Sequence, residues 1–190
     1  MNSTEPNTLI LVNPSHPIPD DWENRITFAE IKTPNGMRKI EVNTLKAFRT
    51  LQEALLKERI ILGASEACRS VSDQEAIVQE LINEKGLDWA LRHAAKPGYS
   101  EHHTGMAIDV WLDFIPEDQP RAGEFPDGYL YGKLHKHLPE CGFILRYLSG
   151  KEAITGYDAE NWHIRYTGLP HSVIMHEKHL TLEEYLDELH

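Results

Sequence analysis

Residues 100–109 read Ser-Glu-His-His-Thr-Gly-Met-Ala-Ile-Asp, and the second half of this stretch is the most informative about the fold. From 105 to 111, apolar side chains alternate with small or polar ones, which is the period of a β-strand. The face that packs into the core consists of Met106, Ile108 and Val110. On the opposite face Asp109 lies beside the small Ala107, which leaves room for an ion.

A second alternating stretch, 160–166, begins Glu-Asn-Trp-His. Its apolar positions are Trp162, Ile164 and Tyr166. His163 therefore lies on the opposite face and is available to the cavity that Asp109 faces. Glu160 needs a bend near Asn161 to reach the same side, and asparagine tolerates turn geometry.

Three side chains from these stretches form a candidate metal site: His102, Asp109 and His163. Two histidines and one carboxylate leave a fourth position open, which is how catalytic zinc sites are built, whereas structural sites are closed by four ligands. The set contains no thiolate, which disfavours a cysteine-rich structural site. A carboxylate beside catalytic zinc is suited to take a proton from the attacking water, a role open to Glu160.

Helices and hairpin-like strands alternate along the chain without a regular strand-helix-strand rhythm. This pattern favours a single α+β domain over residues 1–190, with a small and largely antiparallel sheet. Residues 1–23 predict an irregular N-terminal arm around a short strand at 8–13. Two capping boxes predict helix starts, at Ser72 to Glu75 and at Thr181 to Glu184. The remaining predicted elements are a hairpin around Pro34-Asn35-Gly36, helices at 44–59 and 129–139, and strands at 60–67 and 142–147.

The composition excludes several classes of protein. The 190 residues carry 19 basic and 30 acidic side chains, so the formal net charge is −11, which argues against a nucleic-acid-binding protein. No apolar run approaches the ~20 residues of a membrane-spanning helix. Because no export signal is recognisable either, we expect a cytoplasmic location. Cys68 and Cys141 are far apart in sequence and predict two reduced thiols.

Two motifs together resemble the paired signature of the zinc D,D-peptidases, the family that includes the VanY, VanX and VanXY enzymes. The first is Ser-x-His-x-x-Gly-x-Ala-x-Asp at 100–109, and the second is Glu-x-Trp-His at 160–163. The resemblance runs from about Ile10 to the C-terminus. Segments closer to the VanY and VanXY branch are 142–147, 154–156 and 168–185. The resemblance implies the fold that D,D-peptidases share with Hedgehog proteins, in which a small antiparallel sheet carries the zinc site and helices flank it.

The resemblance also implies roles for individual residues. His102, Asp109 and His163 match the ligands of one zinc ion per chain. Glu160 matches the general base and acid. Arg69, in Cys68-Arg69-Ser70, matches the arginine that polarises the scissile carbonyl, and a fixed guanidinium after a strand suits that purpose.

The predicted substrate site contains three further residues. Ser100 and Gln74 match positions that hold the substrate end, and Trp111 shares a strand face with the carboxylate ligand. Two neighbours of the motifs are assigned no such role. We expect His103 to face solvent and Trp162 to pack in the core.

The chain departs from the family pattern at three places. Ala67-Cys68 stands where Gly-Tyr is usual before the arginine, and Leu148 and Asn161 stand where proline is usual. The missing proline removes a restraint on the backbone of Glu160, and the missing tyrosine alters a wall near the substrate. We therefore expect the catalytic set to be retained and the substrate preference to change.

The resemblance implies a zinc-dependent D-alanyl-D-alanine carboxypeptidase that acts on peptidoglycan precursor peptides ending in D-Ala-D-Ala, with a link to glycopeptide (vancomycin) resistance. Close alternatives are a bifunctional enzyme that also splits the D-Ala-D-Ala dipeptide, and an L,D-carboxypeptidase acting on tetrapeptides. A non-catalytic, zinc-containing peptide-binding module is a third alternative, and Glu160 and Arg69 argue against it. Residues 113–128 are expected to form a flap over the pocket that decides among these substrates.

Overall fold

The computed structural model describes residues 7–121 and 124–189, excluding the side chains of residues 92 and 93. Within this part of the chain, helices flank two antiparallel sheets. The smaller sheet is the expected hairpin, formed by β1 (Phe28–Thr33) and β2 (Gly36–Glu41) around a two-residue turn. The larger sheet has the order β3-β4-β6-β5 and carries the candidate site. The α+β class with small antiparallel sheets is confirmed.

The strands of the larger sheet lie close to their predicted positions. They are β3 (Ile60–Glu66), β4 (Ala107–Phe114), β5 (Phe143–Tyr147) and β6 (Glu160–Tyr166). β4 begins two residues later than expected because Gly105, with a φ of 71°, ends the preceding turn. Ile108 and Val110 are buried in the core as predicted, which leaves Asp109 on the opposite face.

The helices are α1 (Val42–Lys57), α2 (Val71–Lys85), α3 (Leu87–His93), α4 (Tyr129–His137), α5 (Glu152–Thr155), α6 (His171–Lys178) and α7 (Leu182–Leu189). α1 supplies much of the core, since Phe48, Leu51 and Leu55 are fully buried in the same cluster as the strands. Each fully buried apolar side chain of this size contributes roughly 1.5–3 kcal/mol to stability. This packing covers one face of the larger sheet, and the candidate site lies on the opposite face.

The strand predicted at 8–13 is wrong. This segment has no strand and ends in an isolated β-bridge. Its carbonyl groups are engaged by a side chain instead: Arg165 Nη2 donates to the carbonyls of Thr8 and Ile10 at 3.1 and 2.7 Å. A buried guanidinium thus anchors the arm without strand pairing.

One capping box is shifted and the other is as predicted. The N-cap of α2 is Ser70 rather than Ser72, and Ser70 and Asp73 each accept a hydrogen bond from the other's backbone N–H. Aspartate at the third helical position can accept the same hydrogen bond as glutamate. The sequence therefore contained two overlapping candidate capping boxes, one starting at Ser70 and one at Ser72. At α7 the predicted box is formed, because the Thr181 and Glu184 side chains each accept from the other's backbone N–H.

Candidate metal centre and active site

A short 3-10 turn, Glu101–Thr104, places the first predicted ligand. Ser100 caps this turn, its Oγ accepting from the His102 N–H at 3.3 Å. Gly105 is required at its end, because a Cβ there would lie 2.9 Å from the Phe28 ring in addition to the positive φ. His102 is buried and donates from Nδ1 to the carbonyl of Ala67 at 2.7 Å. Its Nε2 is left facing the cavity.

The sheet register brings the other two predicted ligands together. Asp109 on β4 and His163 on β6 are direct cross-strand partners, and Asp109 Oδ1 lies 2.8 Å from His163 Nδ1. Asp109 Oδ2 lies 3.2 Å from His102 Nε2. One ligand atom from each of the three residues lies within 4.8 Å of the others, which makes this group a possible metal site.

The ring nitrogens of this cluster are oriented for a cation. The proton of His102 is on Nδ1, so its Nε2 directs a lone pair at the Asp109 carboxylate. His163 Nε2 faces the carboxylate of Glu101 at 3.6 Å, so when the ring is neutral with its proton on Nε2, Nδ1 directs a lone pair at the same point. Two lone pairs and a carboxylate facing one point require a positive charge, which a proton on His163 or a metal ion in its place can supply. A His-His-Asp donor set of this kind fits zinc.

Burial and charge shift the pKa values of the cluster in opposite directions. Burial alone would raise the pKa of Asp109, but the two histidines outweigh it and hold that pKa well below its usual range. Burial lowers the pKa of His102. Burial would also lower the pKa of His163, but the carboxylates of Asp109 and Glu101 raise it to about 9. Asp109 is therefore anionic, and a metal bound at this cluster would displace the proton of His163.

The bend expected near Asn161 is present as an irregularity in the pairing of β5 with β6. Leu145 pairs with Ile164, and Tyr147 pairs with Glu160. A two-residue step along β5 therefore faces a four-residue step along β6, and the extra residues bulge out of the ladder. The carbonyl of Asn161 accepts a hydrogen bond from a histidine side chain of α4 at 3.0 Å.

This bulge turns Glu160 toward the cluster. Its Oε2 lies 3.8 Å from His163 Nδ1. Burial raises the pKa of Glu160, with the charge of Asp109 acting in the same direction. A carboxylate whose pKa is raised beside the cluster is suited to take up and release a proton.

Arg69 and Gln74 line the same cavity, which has a volume of about 210 Å³. The N–H of Arg69 donates to the carbonyl of His102 at 3.3 Å, which ties its backbone to the 3-10 turn that carries His102, here called the ligand turn. Arg69 Nε is buried and has no hydrogen-bond partner among the described residues. Gln74 donates from Nε2 to the carbonyl of Ala95 at 2.8 Å, while its Oε1 is likewise buried and unpartnered. Buried polar atoms without partners in a cavity are available to a substrate.

The expectation that His103 faces solvent is wrong, because its side chain is only 5% exposed. Its Nδ1 donates to the carbonyl of Arg69 at 2.8 Å, and its Nε2 accepts from the N–H of Gly98 at 3.1 Å. The 3-10 turn is enclosed on all sides, so adjacent residues of the motif are buried together.

The two tryptophans occupy positions different from those expected. Trp162 is 42% exposed and lines the cavity, because the bulge turns it out of the core. Trp111 is not among the cavity-lining residues, and its ring lies over Gly63, where a Cβ would approach it to 2.2 Å. The missing side chain of Gly63 on the neighbouring strand therefore leaves room for the ring of Trp111 over β3.

The segment expected to form a flap does not cover the cavity where it is described. Residues 122 and 123 lie outside the described residues. The rings of Phe114 and Phe125 stack at a centroid distance of 5.2 Å, and Phe125 stacks on Tyr129 at 4.3 Å. Phe114 is the last residue of β4, five residues beyond Asp109, which is roughly 17 Å along an antiparallel strand. The described part of the segment therefore packs at the far end of β4.

Three residues near the cluster were missed by sequence reasoning: Glu101, Tyr147 and Tyr157. The Tyr147 ring lies 4.8 Å from the His163 ring and 5.1 Å from the Tyr157 ring. Glu101 is buried directly behind His163. One signal for Glu101 was present, because two arginines inside apolar strands, at 146 and 165, require a buried anion.

Comparison with known proteins identifies the family. The family model of VanY, the D-alanyl-D-alanine carboxypeptidase, matches residues 37–169. This chain belongs to the VanY family. A relative of it is the bifunctional D-Ala-D-Ala dipeptidase and carboxypeptidase VanXYC of Enterococcus gallinarum, 34% identical over 184 residues, which are 96% of this chain and 95% of that protein.

Solved structures of the VanY family share the fold. The vancomycin resistance D,D-dipeptidase VanXYg, in complex with a D-Ala-D-Ala phosphinate analogue, has a TM-score of 0.76 and 31% identity, covering 95% of this chain and 70% of that one. A mutant of the D,D-pentapeptidase VanY from a VanB-type resistance cassette, in complex with Zn(II), has a TM-score of 0.76 and 28% identity, covering 94% and 98%. The resemblance to VanY and VanXY and the enzyme class, a D-alanyl-D-alanine carboxypeptidase, are confirmed.

Two other expectations about this VanY-family chain concern its location and the state of its cysteines. No helix in the described ranges is long and apolar enough to cross a membrane. The cytoplasmic location stays a prediction. Cys68 and Cys141 are both free thiols, as expected.

Proposed function

We propose that this chain holds one zinc ion with His102, Asp109 and His163 and removes the terminal D-Ala from peptidoglycan precursor peptides that end in D-Ala-D-Ala. The observation that carries the proposal is the convergence of these three ligand atoms within 4.8 Å. Glu160 and Arg69 line the same cavity, which supports hydrolysis rather than binding alone.

The protein side chains then divide the work of peptide hydrolysis. Zinc bound in such a set supplies Lewis-acid chemistry, which activates water at neutral pH. Glu160 accepts the proton of the attacking water and passes it to the amine of the departing D-Ala. Arg69 donates hydrogen bonds to the negative charge that develops on the carbonyl oxygen of the scissile bond.

Two polar side chains are placed to hold the end of the substrate. Gln74 Oε1, buried and unpartnered, accepts a hydrogen bond from a peptide N–H of the substrate. Ser100 Oγ already accepts from the backbone of His102, so its own proton is free to be donated to the terminal carboxylate. Trp162 forms an exposed apolar wall of the same cavity, against which the substrate packs.

The similarity to VanXYC over 96% of the chain favours one second candidate, a bifunctional enzyme that also splits the free dipeptide. A release assay with purified, zinc-loaded protein separates the possibilities. Its substrates are D-Ala-D-Ala, a precursor pentapeptide and the corresponding tetrapeptide. We expect free D-Ala from the pentapeptide, and additional cleavage of the dipeptide would assign the bifunctional activity.

Two outcomes of this assay would contradict the proposal. Release from the tetrapeptide alone would assign an L,D-carboxypeptidase. No release from any substrate, with or without a chelator, would leave a peptide-binding module as the function. The Glu160→Ala variant is the control, because it is expected to keep the metal and lose turnover.

A further inference from the structure

A buried ionic cluster lies directly behind the candidate metal site. Glu101 Oε1 accepts hydrogen bonds from Arg146 Nε and Arg165 Nη1, both at 2.7 Å. The side chains of these three residues are completely buried. Glu183, from α7, accepts from the other two nitrogens of Arg146 at 2.9 and 2.7 Å. The cluster thus joins the ligand turn, two strands and the C-terminal helix.

Stability alone is a poor explanation for this cluster. Removing charges from water carries a large desolvation penalty, and well-packed apolar residues are often as stable as a buried ion pair. Its geometric effect is definite, however. Two guanidinium groups engage Oε1 of Glu101 from different strands, so the carboxylate is fixed, and Oε2 makes no hydrogen bond to either of them.

The atom that Oε2 faces is Nε2 of His163, at 3.6 Å. Both of these atoms are buried, and both are without a hydrogen-bond partner among the described residues. Shortening the distance by roughly half an ångström would make an ordinary hydrogen bond between them. Two unsatisfied buried groups that face each other strongly favour that contact, since a buried polar group left without a partner destabilises the fold.

The opposite nitrogen of His163, Nδ1, points at Asp109 Oδ1 at 2.8 Å. The ring therefore directs one nitrogen to a fixed carboxylate and the other to the ligand cluster. The Tyr147 ring, 4.8 Å away, packs against the same imidazole and limits its rotation.

We propose that Glu101 is a positioning residue for His163: it holds the Nε2 proton and so presents Nδ1 to the metal. This inference rests on the proposed function, because it assumes that His163 is a metal ligand. A carboxylate behind a metal-binding histidine fixes the tautomer and raises the basicity of the ligand, and its loss typically costs about 10–100-fold in metal affinity.

The test compares two variants that remove a carboxylate from the same ionic cluster. Glu101→Gln changes the group behind His163. Glu183→Gln removes the other carboxylate that accepts hydrogen bonds from Arg146. It does not change the group that faces His163, so it is the matched control. Zinc dissociation constants are measured on metal-free protein by competition with a chromogenic chelator. We expect E101Q to weaken zinc binding about 10–100-fold and E183Q to change it by less than about threefold.

A spectroscopic readout tests the same contact without measuring activity. In zinc-loaded wild-type protein labelled with ¹⁵N, His163 should show a slowly exchanging, downfield Nε2–H proton, as expected for a hydrogen bond to a carboxylate. In E101Q this signal should move upfield or be lost to exchange, while in E183Q it should stay. An Nδ1–H signal in the wild type would overturn the proposal, since the metal would then be on Nε2.

Glu101→Asp covers the case in which E101Q does not fold. It keeps the charge that the two arginines need but withdraws the carboxylate from His163 by one methylene, so weaker zinc binding is again expected. If folded E101Q or E101D binds zinc as tightly as wild type, this inference fails and the proposed function stands. If the wild type itself binds no zinc, the proposed function fails with it.

Discussion

Asp109 and His163 are direct cross-strand partners between β4 and β6, and their side chains approach to 2.8 Å between Oδ1 and Nδ1. The spacing of these two predicted ligands is therefore set by the backbone hydrogen bonds of a sheet and not by a loop. A ligand pair held on neighbouring strands is preorganised, so little reorganisation is required when a metal binds.

Asp109→Asn tests the anionic ligand. The amide has nearly the same shape, so we expect the fold to persist, but zinc affinity should fall by at least about tenfold because the ligand loses its charge. Metal content after dialysis and a chelator competition give the measurement. Asp113→Asn, on the exposed part of the same strand, is the control and should bind zinc like the wild type. Equal zinc binding by both variants would remove Asp109 from the ligand set.

Glu160→Gln tests the proton-transfer role. Its side chain lies beside the cluster but is not among the three predicted ligands, so zinc should be retained. We expect kcat to fall by about 10²–10⁴, the usual contribution of general acid–base catalysis. Steady-state release of D-Ala and parallel metal analysis provide the two readouts. Asp158→Asn, two residues earlier, is a matched control for local charge, and an unchanged kcat in E160Q would exclude this mechanism.

His103→Leu and His103→Gln test how the ligand turn supports Arg69. Leucine leaves the Arg69 carbonyl and the Gly98 N–H without their partner, and each lost partner costs about 1–3 kcal/mol of unfolding free energy. Glutamine has both a donor and an acceptor, so it should restore most of that stability. We also expect kcat to fall in H103L and to recover in H103Q, because the Arg69 backbone is tied to this side chain. Chemical denaturation and D-Ala release measure the two effects. If H103Q behaves like H103L, the position does not require a side chain that both donates and accepts a hydrogen bond.

Glu58 gives a pH-dependent prediction away from the site. Hydrogen bonds from Lys133 and, to a smaller extent, His137 lower the pKa of Glu58 from its usual value. Because the pKa is lower in the folded state, this group stabilises the fold above its unfolded pKa, and the stabilisation is lost as the pH falls through the folded pKa. Glu58 and its two partners are near the surface, so Glu58→Gln should lower the free energy of unfolding by less than about 1 kcal/mol at neutral pH. Urea unfolding of both proteins at about pH 7 and about pH 3 should show that the difference shrinks in acid. A difference that grows toward acid pH would contradict the assignment.

Much of this site could be predicted because its residues belong to short local patterns. Alternation alone placed Asp109 and His163 on the face opposite the core, and the structure has them there. Glu160 and His163 are three positions apart and would lie on opposite faces of a straight strand. This spacing predicted a bend before His163, and a bulge supplies it. Predictions failed where the environment comes from elsewhere in the chain. Trp111 was placed by its strand face, but a glycine on the neighbouring strand decides where its ring lies.

The sequence by itself determined which types of side chain are available for chemistry in this protein and which strand faces they occupy, since period and residue type are local properties. Only the tertiary structure decided how those side chains are supported. Glu101 and His103 differ from ordinary surface residues through contacts with groups more than thirty positions away, at Arg146 and Arg69. Burial and hydrogen-bond partners of this kind depend on which segments meet in space, and no local pattern encodes that.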